Sequence, residues 1–495
     1  MNLAGLSLSL STPRGSGAAS VAYTGLVANR VRPLLTAHTG NKQAMSRSYH
    51  KSSVDITALQ IIWAHWAFGG TAGSFEVGHG TDAWLTASIE YPAGTFTQVT
   101  FPPAYQATGA TVALMPIVST TAATVAGGNV TSDAMSVTIP ANTGFWIRTW
   151  YDSTRGGAQA GGGIYYVANI RDSANGDLLK VAASGVADQT MSGTIVHNAS
   201  TAYLPPIAII GTTTKAAAII VGDSIAYSQN GASADPLNSR NGTIATAFPT
   251  DLPFLNLSSP GLKAGNCLTA SPNRQELYSY GSSMYNNLGI NDTTGATAAD
   301  IAASNTAIAA VFPARTRKYL CTLTPRTSSA TDNWTTTSGQ TAHGSTPTLY
   351  QPYNVLVRAG VSGYTDYIEQ THGVLEAAPD DSGLYVLSAD NRILTDAVTT
   401  ATSTTVTSAT GAFTSADVGV GINIAGAGAA GATLKTTISS ITNSTTVVLA
   451  LAAGTSVNPA TMKIGAMTND GLHPLTPGNV VAAAAIPAGS YADPT

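Results

Sequence analysis

Four short stretches carry side chains suited to acyl-transfer chemistry: VGDSIAYSQNG at 221–231, SSPG at 258–261, GIND at 289–292 and DGLHP at 470–474. In the first, an apolar run (KAAAII) ends on Gly-Asp-Ser. Such a turn lifts a hydroxyl to the rim of a sheet. Alone it reads as an ordinary β-turn, because Gly, Asp and Ser are common turn residues. With a base and oxyanion donors elsewhere in the chain, Ser224 becomes a nucleophile. His473 supplies the base, since an imidazole titrates near neutrality. Asp470 lies three residues before His473. On a loop or one helical turn that spacing brings its carboxylate to the imidazole Nδ1–H, where it fixes the tautomer and stabilises the imidazolium. The backbone N–H groups of Ser224 and Gly261 and the side-chain amide of Asn291 make three donors for a tetrahedral oxyanion. Gly261 suits this because its backbone approaches a ligand closely. Gly265 is the alternative in that block, and Asn469 and Asp223 are the competitors of Asp470.

Other polar residues read more plainly. Asp292 fits a turn or cap. His343 and His372 fit surface or packing positions. No carboxylate pair has a spacing that marks a glycosidase. Trp334, in TDNWTTTSG, sits in a polar loop, where sugar stacking is one of several roles open to it. Trp63, Trp66, Trp146 and Trp150 read as core of an N-terminal domain.

The elements that must position these groups follow from the pattern. From about 211, apolar strands alternate with helix-like segments: AAAIIVGDS, LPFLNLSSPG and MYNNLGIND, then AADIAASNTAIAAVF, then TRKYLCTLTP and YQPYNVLVRAG. This alternation predicts a parallel sheet covered on both faces. Functional groups in such sheets gather beyond the strands' carboxyl ends, where Gly222–Ser224, Gly261 and Gly289–Asn291 all fall. Residues 1–48 are Gly/Ser/Thr-rich and read as an N-terminal arm for docking. Residues 49–210 carry short alternating strands with turn signals, as in SIEYPAGTFTQVTF and MSVTIPANTGFWIRTWYD, and predict an all-β sandwich-like domain. ITALQIIWAHWAFGG fits either a strand pair or a short helix. Residues 397–467, Thr/Ser/Val-rich with almost no charge, read as a small all-β insert of about four to six strands. The insert divides the α/β core into 211–396 and 468–495. Because it enters just before Asp470 and His473, its ends lie beside the catalytic loop. Whether it roofs the cleft or faces away stays open.

The four blocks, in this order and each at the end of the right element, resemble the SGNH (GDSL-type) hydrolases over about 211–396 and 468–490. The family's blocks centre on Ser, Gly, Asn and His, matched here by Ser224, Gly261, Asn291 and His473, with Asp470 at the triad acid. The resemblance implies a three-layer α/β/α fold, ester hydrolysis through an acyl-enzyme, and no metal or organic cofactor. SIEYPAGTFTQVTF and IPANTGFWIRTWYD resemble the β-rich domain placed before SGNH cores in some phage and bacterial proteins. GAFTSADVGVGINIAGAGAAGATL resembles small β modules of phage tail and tail-spike proteins.

Composition bears on context. Only 10% of residues are charged, against about 25% in a typical soluble protein, which suits β-rich extracellular or virion proteins. The net charge of −4 and the lack of a basic arm argue against nucleic acid as a partner. No apolar run is long enough for a membrane span. The first residues make a poor secretory signal. Cys267 and Cys321 form no disulfide framework or metal-site spacing, although a single bridge between them stays open. The expectation is an SGNH-type esterase that deacetylates surface or capsular polysaccharide from the virion surface, with other virion proteins as partners and a trimer as the guessed assembly. The alternatives are a catalytically silent receptor-binding or structural virion protein, and a bacterial secreted esterase or lipase.

Overall fold

The computed structural model describes residues 21–28, 36–38, 40–68, 76–78, 82–115, 128–156, 164–166, 172–198, 204–229 and 240–494. The chain is multidomain and rich in β-sheet. Its N-terminal part holds, beside two two-stranded ladders, two larger antiparallel sheets that share one apolar cluster. One sheet contains Tyr23–Leu26, Ala208–Thr213, Ile56–Ala64 and Asn129–Thr131. The other contains Leu178–Ala182, Gln43–Lys51, Gly144–Gly156, Asp82–Glu90 and Phe96–Gln98. Alternation explains the burial. Leu59, Ile61 and Trp63 from the first sheet meet Leu85, Ala87, Ile89, Phe145 and Ile147 from the second.

Several expectations change here. Tyr23–Leu26 and Gln43–Lys51 are paired strands of these sheets and not a separate arm. Their short alternating runs are hidden among small residues. The rest of the arm (1–20, 29–35 and 39) lies outside the described residues. ITALQIIWA is a strand, Ile56–Ala64, followed by a second at Trp66–Phe68. The Pro-Ala-Gly turn closes a hairpin between Asp82–Glu90 and Phe96–Gln98. By contrast, the strands flanking Pro-Ala-Asn-Thr-Gly belong to different sheets. Trp63 and Trp150 are buried within this part of the chain. Trp66 instead joins the apolar cluster of the following domain, and Trp146 is half-buried under the Arg47 guanidinium.

The next domain is built on a five-stranded parallel sheet in the order Phe254–Asn256, Ala218–Val221, Ser283–Asn286, Arg317–Cys321, Asp366–Ile368. Successive residues of its second strand face separate clusters. Ile219 and Val221 pack with Ile301 and Ile308 of helix Ala298–Ala310 and with Tyr353 and Val357 of helix Gln351–Ala359. Ala218 and Ile220 pack with Ile244, Phe248 and Ile486. Helices are few. Thr297 starts one with a capping box to Asp300, and Gly360 ends another. Cys267 and Cys321 are buried and unbridged. No helix among the described residues is long and apolar enough to cross a membrane.

The Thr/Ser-rich segment forms a closed six-stranded barrel: Leu387–Thr399, Thr405–Thr407, Thr446–Leu449, Leu434–Asn443, Gly421–Ile424 and Val457–Ala466. Its first strand begins upstream of residue 397. The polar run Ser-Ala-Asp-Asn-Arg conceals that start, because Arg392 is partly buried there only by pairing bidentately with the buried Asp417 at 2.8 and 2.9 Å.

The N-terminal part is tied to the parallel-sheet domain by a buried ion pair. The Glu76 carboxylate accepts from Arg274 Nε (2.9 Å), the Arg274 backbone N–H (3.0 Å) and the Asn273 backbone N–H (2.8 Å). Arg274 also donates to the carbonyl of Leu257 at 3.2 Å, just before the SSPG loop.

Candidate active site

The strand Ala218–Val221 is buried throughout, and Ser224 opens a four-residue helical turn directly after it. Gly222 is dictated by crowding, because a Cβ there would collide with Asn287, Ala226 and Ser258. Asp223 caps the turn, its Oδ1 accepting the Ile225 N–H at 2.8 Å. The Asp223 N–H donates to Asn287 Oδ1 at 3.2 Å, and the Ser259 N–H to the Gly222 carbonyl at 2.9 Å. The first three blocks are therefore stitched together at the sheet's carboxyl edge.

The fourth block completes a linear array. Asp470 Oδ2 lies 2.7 Å from His473 Nδ1, and His473 Nε2 lies 2.8 Å from Ser224 Oγ. Asp470 Oδ1 accepts the backbone N–H groups of Leu472 (2.9 Å) and His473 (2.8 Å). Burial raises the Asp470 carboxyl, but the imidazole N–H and these two backbone N–H groups outweigh it and pull the carboxyl down to about 2. An ionised carboxylate only accepts, so Nδ1 carries the proton and Nε2 presents its lone pair to the Ser224 O–H. Ser224 and His473 are nearly buried, whereas the Asp470 side chain is partly exposed.

Thr468 holds the Asp470–His473 loop from within. Its hydroxyl donates to the His473 carbonyl at 2.9 Å and accepts the Gly471 N–H at 3.0 Å. The Tyr385 hydroxyl donates to the Leu472 carbonyl at 2.7 Å. Gly471 has φ +81°, and a Cβ there would meet Thr327 and the Trp334 ring. Behind Ser224, helix Thr476–Ala484 reaches the Ser224 turn through Asn479, which donates to Ser228 Oγ at 3.3 Å.

The groups expected as oxyanion donors stand as follows. Gly261 is exposed at φ +77°. Neither its N–H nor that of Ser224 has a partner among the described residues. Asn291 Nδ2 donates once, to the Leu262 carbonyl at 3.2 Å, which sets its amide beside the Gly261 turn. Gly265 is removed as the alternative, since its N–H is taken by Asp292 Oδ1 at 3.0 Å, while Ala264 donates to Oδ2 at 2.9 Å. Asp292 thus ties the second and third blocks together.

Asp223 does not replace Asp470. It is fully buried, and its Oδ2 has no partner among the described residues. Burial pushes its carboxyl up to about 7, against the hydrogen bond from the Ile225 N–H. His343 and His372 stand outside the array: His343 faces the Tyr350 ring, and His372 bonds Asp381 at 2.8 Å. Among the described residues, His372, Glu376 and Asp380 could offer metal ligands within 4.8 Å of one another. The Glu376 oxygens already accept the Asp381 and Gly383 N–H groups.

Trp334 does not point freely into solvent. Its indole N–H donates to Thr327 Oγ1 at 2.7 Å. Asn333 and Trp334 both hold φ near +59°, at +59° and +58°, a conformation that costs of order 1–3 kcal/mol per residue and persists only where surroundings enforce it. Thr468, Asn287 and Thr327 are the positioning residues that sequence reasoning missed. The polar pair Asn286–Asn287 ahead of the third block was the one available signal.

Comparison with protein-family models and with curated proteins finds no match to this chain. The site's chemistry rests on its geometry.

Proposed function

We propose that this chain is a serine esterase of the SGNH type that removes acetyl groups from surface polysaccharide as a tail, fibre or spike component of a phage particle. The observation that carries the esterase reading is the unbroken Asp470–His473–Ser224 array, with contacts of 2.7 and 2.8 Å. The four blocks stand in order beyond the parallel strands. Apolar clusters on both sides of the sheet support a three-layer core. Sparse charge and the β-barrel between the third and fourth blocks support the virion context.

The steps follow from the array. Ser224 Oγ attacks the ester carbonyl as His473 Nε2 takes its proton. Charge builds on the carbonyl oxygen, where the Ser224 and Gly261 N–H groups and the Asn291 amide receive it. The imidazolium, stabilised by Asp470, returns the proton to the departing sugar hydroxyl. An acetyl-Ser224 ester remains. Water, deprotonated by His473, attacks it, acetate leaves, and Ser224 Oγ regains the proton.

The test is acetate release from 4-nitrophenyl acetate and from acetylated polysaccharides by the purified chain, beside Ser224→Ala. Activity lost with Ser224→Ala supports the reading. A folded wild-type protein inactive on every ester would make it a glycan-binding structural protein instead.

A further inference from the structure

The barrel does not face away from the site. Its last strand ends at Ala466, and Thr468 already belongs to the catalytic loop. A second tie comes from the 331–339 loop. Asn423 on the barrel donates through Nδ2 to the Asp332 carbonyl (2.5 Å) and Thr335 Oγ1 (2.9 Å), and Asn333 donates back to the Ile422 carbonyl at 3.4 Å. The next residue, Trp334, bonds Thr327, whose N–H donates to the Gly471 carbonyl at 2.8 Å. Barrel, loop and catalytic loop thus form one connected unit.

Between them lies a cleft of about 340 Å³, lined by Asn333, Lys435, Thr436, Thr437, Leu451 and Asn469, with Ala450. That volume falls within the range of small-molecule sites, roughly 300–1,000 Å³. Asn469 is the chain neighbour of the triad acid Asp470. The left-handed backbone at Asn333 and Trp334 sits at the cleft's edge. The walls carry amides and hydroxyls, of which Thr436 Oγ1 already accepts the Leu451 N–H at 3.1 Å and the Asn333 amide donates to Ile422, and the lining holds no aromatic side chain. Leu451, 57% exposed, supplies one apolar patch for the C–H face of a sugar. Lys463 is engaged with Asp332 at 3.8 Å. Lys435 is exposed, has no ionic partner among the described residues, and is the cleft's one cation.

We infer that this cleft is the polymer-binding groove of the site, and that it takes a carbohydrate chain bearing a carboxylate near the acetylated sugar, paired with Lys435. This rests on the esterase reading and names its substrate class.

The test measures acetate release by the full chain from three probes: 4-nitrophenyl acetate, acetylated polygalacturonate (acidic) and acetylated xylan (neutral). Wild type and Lys435→Glu are compared, each normalised to its own rate on the small ester. The wild type is expected to prefer the acidic polymer. Lys435→Glu is expected to lower the normalised kcat/KM on that polymer at least tenfold, through KM, and on the neutral one far less. The inference is overturned if the normalised acidic-polymer rate is the same in both proteins. It is also overturned if the wild type cleaves the small ester but no polymer, or prefers the neutral polymer. If the wild type cleaves none of the three, the esterase reading itself fails, a result visible without any Lys435 variant.

Discussion

The backbone N–H of Thr327 donates to the carbonyl of Gly471 at 2.8 Å, so the segment leading to Trp334 is joined to the loop carrying Asp470 and His473. Thr327 Oγ1 also takes the Trp334 indole N–H at 2.7 Å, which places the ring against Gly471. Through this contact the barrel side of the molecule is linked to the loop that carries His473.

Gly471→Ala tests that contact. The new methyl would collide with Thr327 and Trp334 and force a side chain onto φ +81°. Displacing the loop by about 1 Å is expected to lower kcat on 4-nitrophenyl acetate about 100-fold, with KM changed much less. Unchanged kcat in a folded variant would show that the loop does not depend on this packing.

Asp470→Asn keeps the shape and removes the charge. The carboxylate is held down to about 2 by the imidazole and backbone N–H groups, against burial, so it is ionised across the working pH range. The amide no longer stabilises the imidazolium and favours the wrong tautomer. The expected fall in kcat is about 10⁴-fold, read by initial rates at pH 7. A loss below tenfold would assign the acid's role elsewhere.

Asp223 links the nucleophile turn to pH. The unfolded chain releases this proton near pH 4, whereas the folded chain holds it up to about 7 because the carboxyl is buried. This contribution to stability is complete below pH 4, declines as pH rises and levels off above 7, with a slope of at most about 1.4 kcal/mol per pH unit. Asp223→Asn keeps an acceptor for the Ile225 N–H and removes the titration. Its melting temperature relative to wild type is expected to rise between pH 4.5 and pH 7.5. A difference that stays flat across that range would contradict the buried, protonated carboxyl.

Glu76→Ala tests how the N-terminal part is joined to the parallel-sheet domain. It leaves the Arg274 guanidinium buried without its carboxylate, a change expected to cost about 3–5 kcal/mol. Chemical denaturation should show the loss. Because Arg274 also bonds the Leu257 carbonyl before the SSPG loop, esterase activity should fall at denaturant levels the wild type tolerates. A stability change under about 1 kcal/mol would mean the pair is dispensable.

How much of this was legible follows from where the information lies. The four blocks could be read because each needs a particular residue at a strand's end: Gly222 for want of space, Gly261 for its positive φ, and Ser224, Asn291 and His473 for their chemistry. The parallel strands could be read as apolar runs, except Asp366–Ile368, a three-residue strand exposed over most of its length. The barrel's first strand was hidden by Asp390, which is exposed, and by Arg392, whose charge is matched by the buried Asp417. The roles of Thr468, Asn287 and Thr327 depend on loops meeting in space, and no local pattern encodes them. The ends of the insert placed it beside the catalytic loop, but its orientation came from Asn423 and Asn333 reaching across to partners about 90 residues away.

The measurement that bears most directly on the central claim is fluorophosphonate labelling of the purified chain at pH 8, mapped by mass spectrometry. Labelling at Ser224 alone, abolished in His473→Ala, is the expected result, because only a serine with a base at 2.8 Å should react. A folded protein in which Ser224 stays unlabelled, or is labelled equally without His473, would contradict the account.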